Sequence, residues 1–138
     1  PDVTASYEAA RVVILPIPYE ATTTYRRGCE NGPAAILDAS QQVEYYDEEL
    51  DEEFWTVGIN TQPAIADTRN DRKVSSEEML QVTQQTVARL IADGKFVIAL
   101  GGEHSITTGL VEAYRQANSE PFTVVQIDAH GDLRHEYE

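Results

Sequence analysis

The sequence predicts an α/β fold built on a parallel sheet covered by helices, and three observations carry that prediction. Short β-branched apolar runs alternate along the chain with segments of helical period. The two later runs, "KFVIAL" (95 to 100) and "FTVVQI" (122 to 127), are apolar on consecutive residues, as strands buried on both faces are. No internal repeat or low-complexity linker interrupts the 138 residues, so residues 1–138 read as a single domain.

The elements follow in order. "RVVILPIP" (11 to 18) is a short β-branched run closed by prolines and predicts a buried strand. "NGPAAILDASQQ" (31 to 42) starts a helix, with Asn31 or Gly32 near the cap and Pro33 in the first turn. "WTVGI" (55 to 59) is a weaker strand signal. A longer helix begins at Ser75, where Ser75 and Glu78 have the spacing of a capping box. Leu80, Thr83, Val87, Leu90 and Ile91 keep to one face of it, and Gly94 ends it. "KFVIAL" is the next strand, "SITTGLVEAYRQA" (105 to 117) a helix, and "FTVVQI" the last strand.

Composition narrows the function. A hydrophobic fraction of 41% is enough for a core. Ten basic residues against 24 acidic ones give a net charge of −14. Such a chain is repelled by nucleic-acid backbones and anionic membranes, and small cations are better visitors. Cys29 is the only cysteine, so no internal disulfide forms; it reads as a small buried or half-buried filler. There is no long apolar run and no basic-then-apolar leader, so the expectation is a soluble, cytoplasmic protein. The charge run "YYDEELDEEF" (45 to 54) reads as a solvated face, and His135 as a solvated residue.

In parallel α/β sheets ligands bind beyond the carboxyl ends of the strands. "GGEHS" (101 to 105) follows one strand and "DAHGD" (128 to 132) follows another. If strand geometry continues, Asp128, His130 and Asp132 point to one side. Two carboxylates that close repel unless a cation lies between them. A polar loop facing water is the plain alternative for this stretch. In "GGEHS" the glycine pair reads as a tight turn or a phosphate cradle, with Ser105 capping the next helix and Glu103 favoured by its dipole. His104 alone is an ordinary structural histidine. Two ligand-bearing stretches at one sheet edge, however, point jointly to a metal site. Carboxylate and imidazole donors without thiolate suit Mn²⁺ or a similar ion. No G-x-S-x-G, Walker or dinucleotide fingerprint is present.

"GGEHSIT" (101 to 107) and "DAHGDLR" (128 to 134) resemble the first two metal signatures of the ureohydrolase family, which includes arginase and agmatinase. "YRRGCENGPAAIL" (25 to 37) is similar to the family's Gly-Pro helix start. The resemblance implies the amino-terminal portion of a three-layer α/β/α arginase-like sheet. It implies two Mn²⁺ ions per complete site, with His104 on the first, His130 on the second, Asp128 bridging both and Asp132 completing the first. A metal-bridging hydroxide would then attack the guanidinium carbon, and Asp132 would pass a proton to the leaving amine.

Arg134 favours agmatinase over arginase, which usually carries asparagine there, so the implied reaction is agmatine to putrescine and urea. Guanidinobutyrate or arginine is the alternative substrate, and a non-catalytic half-domain the alternative of another class. Gly131 stands where the family often has threonine, between ligands. The family's third signature, a D-x-D with further metal carboxylates, has no counterpart in these residues. Neither do a further histidine and the acidic residue that would grip the guanidinium. The family's sheet sets two strands of its second half between those matching "KFVIAL" and "FTVVQI", which leaves apolar edges open here. The complete enzyme would be a homo-oligomer, a trimer or hexamer.

Overall fold

The computed structural model describes residues 4–132. β1 (Val12–Ile17) is the middle strand of a three-stranded parallel sheet of order β2-β1-β3, with β2 at Ile59–Thr61 and β3 at Phe96–Gly101. Val12 stands opposite Ile59 on one side and Phe96 on the other, and the β3 pairing runs on until Ile17 meets Gly101. Pro16 sits in this central strand without breaking it. Its neighbours show why: Gln62 and Ile65 donate to Ile14 and Pro16 on the β2 side, beyond the end of β2, so the missing N–H faces no ladder partner.

Alternation then decides the core. Val13, Leu15 and Ile17 are fully buried on the same face of β1. They pack with Met79, Val87 and Leu90 of α2 (Ser76–Ala92), with Ile106, and with Ala113 of α3 (Thr107–Ala117). Each buried Val, Leu, Ile or Met side chain among them contributes about 1.5–3 kcal/mol. α1 (Gly32–Ala39) connects β1 to β2, whereas α2 connects β2 back across to β3. Right-handed crossovers running in opposite directions put α1 and α2 on opposite faces of the sheet.

The caps of α2 fall at Ser75 and Gly94 as expected, with the Ser75 half of the capping box formed. Ser75 Oγ accepts the Glu78 N–H at 3.1 Å. At the other end Gly94 has φ of +71°, and the N–H groups of Gly94 and Lys95 bond Ile91 and Leu90 carbonyls at 2.9 Å each. The buried face is turned slightly from the expected one: Met79 is fully buried, while Leu80 and Ile91 are only half-buried. Lys95 Nζ then ties the amino-terminal segment down, donating to the carbonyls of Tyr7 at 2.7 Å and Ala10 at 2.8 Å.

Five expectations need correction. "KFVIAL" is not buried on both faces: β3 is an edge strand among the described residues, with Phe96 65% and Ile98 41% exposed. Residues 55 to 59 do not form the strand: Phe54–Val57 is a 3-10 turn, Gly58 turns the chain with φ of +76°, and β2 starts at Ile59. The helix expected over 31 to 42 ends at Ala39 and continues as a 3-10 turn over Ser40–Gln42. The helix expected from Ser105 begins at Thr107, after a 3-10 turn at His104–Ile106. Residues 122 to 127 are not a strand, because among the described residues no segment lies alongside to pair with them. Val125 and Ile127 are 80% and 98% exposed there. The acidic run at 45 to 54 is a solvent-facing turn, as expected, with an Asp47–Glu52 bridge. No helix among the described residues is long and apolar enough to cross a membrane.

α2 and α3 meet closely at Gly109, where a Cβ would stand 2.9 Å from Thr83 Cβ. Thr83 is fully buried and its hydroxyl has no hydrogen-bond partner. Thr83→Val keeps the shape and removes that unsatisfied group, so it is expected to raise stability by about 1 kcal/mol in a urea unfolding curve.

Candidate metal centre

The site begins where β3 runs out. Gly102 donates to Ile17 O at 3.0 Å and Glu103 to Tyr19 O at 2.9 Å, so the turn after β3 stays fastened to the end of β1. A Cβ on Gly102 would fall 2.2 Å from Tyr19 O, and one on Gly101 would fall 2.5 Å from Ile106 Cδ1. The glycine pair thus serves a close backbone approach. The N–H groups of Gly102 and Glu103 are already engaged, which removes the phosphate-cradle reading.

Glu103 is only 7% exposed. Its Oε2 accepts the N–H groups of Ala21 and Thr22 at 2.8 Å each, and its Oε1 accepts the hydroxyls of Thr22 and Ser105 at 2.6 Å each. Burial alone would raise its pKa, but these hydrogen bonds outweigh burial and hold it below the ordinary value. Ser105 therefore bonds to Glu103 and does not cap α3, whose N-cap position is Ile106. Glu103 likewise stitches two loops together and does not answer a helix dipole.

His104 follows, with its side chain 70% exposed. Its Nδ1 lies 3.8 Å from Asp128 Oδ2 and 3.7 Å from Asp132 Oδ2. The potential ligand atoms of these three residues all lie within 4.8 Å of one another. His130 stands on the other side of Asp128, its Nδ1 3.6 Å from Oδ1. Asp128 thus turns one oxygen to each imidazole. Its carboxyl is held below the usual range, first by the His130 N–H and then, against some desolvation, by the two histidines. Gln126 Nε2 donates to Asp132 Oδ2 at 3.1 Å.

The expected reason for this convergence is corrected. Residues 128 to 130 form a bend, not a continuing strand. Asp128 Oδ1 accepts the N–H of His130 at 2.9 Å, a turn stabilised by its own side chain, and Asp132 takes φ of +51°. Curling, rather than alternation, brings Asp128 and Asp132 to His104 and leaves His130 outside the cluster of three. A cleft of about 910 Å³ runs beside them, lined among others by His104, Thr108, Val111, Val124, Asp128 and Asp132. Arg134 and His135 lie outside the described residues.

The loop after β1 is organised by a second carboxylate. Glu20 Oε2 accepts the N–H groups of Gly28 at 2.7 Å and Glu30 at 3.2 Å, and Oε1 accepts Thr23 Oγ1 at 3.0 Å. Burial opposes these bonds, but they win and lower its pKa from the ordinary 4.5. A depressed carboxylate pKa adds stability above the unfolded-state value and loses it as pH falls through the folded-state value. Glu20→Gln is thus expected to be less stable than the parent near neutrality, with the gap closing below pH 4.5 in a pH series of thermal melts. Burial and the charges of Glu20 and Glu103 push the Cys29 thiol up to about 11, which fits an unreactive filler.

Sequence reasoning missed the anchoring roles of Glu20 and Glu103 and the Gln126–Asp132 bond. A carboxylate directly after a glycine pair at a strand end was the available signal for Glu103. Glu20 and Gln126 carried none.

The profile of the arginase family matches residues 10–138. The chain is 52% identical over 134 residues to N(1)-aminopropylagmatine ureohydrolase of Synechocystis sp., covering 96% of this chain and 44% of the relative. It is 32% identical to agmatinase of Bacillus anthracis, again over 96% of this chain and 44% of the relative. The chain thus spans under half the length of these curated relatives.

Among solved structures, agmatine ureohydrolase of Thermoplasma volcanium matches with TM-score 0.69 at 30% identity, over 81% of this chain and 36% of that one. Arginase from Bacillus subtilis shares the fold, with TM-score 0.58 at 24% identity over 77% of this chain and 34% of that one. The three-stranded parallel sheet with its helices is therefore part of an arginase-like α/β fold. With a family match that takes in both "GGEHS" and "DAHGD", the chain belongs to the arginase family.

Proposed function

We propose that the full-length protein hydrolyses the guanidino group of agmatine, giving putrescine and urea, at a centre that holds two Mn²⁺ ions. The observation that carries this reading is Asp128, whose two oxygens face His104 and His130 separately. A carboxylate so placed can serve two cations at once. The donor set of carboxylates and imidazoles without thiolate fits Mn²⁺. His104 and Asp132 would hold one ion and His130 the other, with Asp128 common to both.

When bound, such a metal pair supplies a nucleophile from water near neutral pH and draws charge from the carbon under attack. The remaining work falls to the protein. Asp128 and Asp132 keep the site negative, and the chain's net charge of −14 favours the approach of a guanidinium or ammonium group. Asp132 is the group to pass a proton to the leaving amine. Gln126 donates to its Oδ2, the oxygen that also faces His104, and so steadies the carboxylate. Glu103 and the glycine pair hold the turn of His104 against the end of β1.

The identities favour a second reading of the substrate. The match of 52% is to an N(1)-aminopropylagmatine ureohydrolase, against 32% to an agmatinase. The N(1)-aminopropyl derivative keeps the same guanidino group and adds cationic charge, which an acidic chain tolerates. We place the enzyme in the cytoplasm as a homo-oligomer, a reading that rests on the resemblance; the one cysteine of these residues, Cys29, is free, which fits a reducing compartment.

The test is urea release by the Mn²⁺-loaded full-length protein from agmatine, N(1)-aminopropylagmatine, guanidinobutyrate and arginine. The highest kcat/KM is expected for one of the first two. A preference for arginine or guanidinobutyrate, or no urea from any of the four, contradicts the proposal.

A further inference from the structure

We propose that Glu103 is a positioning residue for His104, acting as the clamp that joins the turn after β3 to the loop after β1; the inference rests on the metal-centre reading above. Glu103 is 7% exposed yet has no basic partner among the bonds it makes. All four of its hydrogen bonds come from neutral groups, three from Ala21 and Thr22 and one from Ser105. A buried carboxylate held only by neutral donors is a costly way to fasten two loops, and a hydrophobic contact would hold them with less desolvation.

What the carboxylate provides is direction. Oε2 fixes the backbone of Ala21 and Thr22, while Oε1 holds Ser105, the residue on the far side of His104. His104 is thereby pinned from both neighbours, at Glu103 itself and at Ser105. Its own side chain is 70% exposed and makes no hydrogen bond of its own among those observed, only the approaches to Asp128 and Asp132 at 3.8 and 3.7 Å. The position of the imidazole therefore depends on the backbone that carries it, and the Glu103 carboxylate holds that backbone together with the turn's own bonds to Ile17 and Tyr19. Residues that orient a metal ligand typically change metal affinity about 10–100-fold when removed.

The test compares Mn²⁺ binding to the full-length protein and its variants by calorimetry. In Glu103→Ala one of two binding steps is expected to weaken about 10–100-fold while the step assigned to His130 holds within a few-fold. Glu103→Gln can keep its oxygen on Ala21 and Thr22 and turn its amide toward the two hydroxyls, so it should restore most of the lost affinity. If Glu103→Ala does not fold, the double variant Thr22→Val, Ser105→Ala carries the test, with the same selective weakening expected. Unchanged binding in the folded variants, or equal weakening of both steps, overturns the clamp while leaving the metal centre standing. A parent protein that binds no Mn²⁺ overturns both.

Discussion

Gly102→Ala is expected to cost more stability than any other single methyl group added at the carboxyl edge of the sheet. The new Cβ would lie 2.2 Å from Tyr19 O, 3.0 Å from Tyr19 C and 3.1 Å from Tyr19 N, so every atom it meets is backbone. No rotamer change can relieve such a contact. The turn must lift off the end of β1 and give up its bonds to Ile17 and Tyr19. Overpacking in a rigid site costs about 1–3 kcal/mol, and two lost backbone hydrogen bonds move the total to about 3 kcal/mol or beyond. Gly131→Ala is the control, since nothing lies within 4 Å of its added Cβ and its φ is not positive. Urea unfolding should show a large fall for Gly102→Ala and a change of no more than about 0.5 kcal/mol for Gly131→Ala.

For the metal centre the largest expected loss is that of Asp128→Asn. The amide keeps the side chain's shape, and its oxygen can still accept the N–H of His130, so the turn should survive. What disappears is the negative charge and one of the two oxygens that face His104 and His130. Both binding steps should weaken by more than about 100-fold, beyond the range typical of residues that only support a ligand. His130→Ala should weaken only one step, because its imidazole faces only one oxygen of Asp128. Both variants should lose most urea release. Two intact binding steps in Asp128→Asn would mean that Asp128 is a turn residue and no more.

Much of the fold was legible because the signals that specify it are local. Ser75 and Gly94 bracket α2 by cap chemistry that needs no tertiary partner. The apolar β-branched run at 11 to 18, closed by prolines, predicted the buried strand that β1 forms over Val12–Ile17. The reading of "FTVVQI" failed for the opposite reason: its composition suits a strand, but a strand exists only beside another, and the described residues offer none. The candidate ligands were legible as residue types at a sheet edge. Their geometry was not, because alternation predicted a flat row where an aspartate turn and a positive φ at Asp132 curl the chain instead. Glu103 was misread because its partners, Ala21 and Thr22, lie some eighty residues earlier, and no short window contains both.

The most direct test of the central claim is an anomalous-scattering map from crystals of the full-length protein grown with Mn²⁺. Two peaks are expected, roughly 3.5–4 Å apart, with Asp128 touching both, His104 and Asp132 on one and His130 on the other. A map with no peak at these residues, or with Asp128 turned away from every peak, would contradict the account.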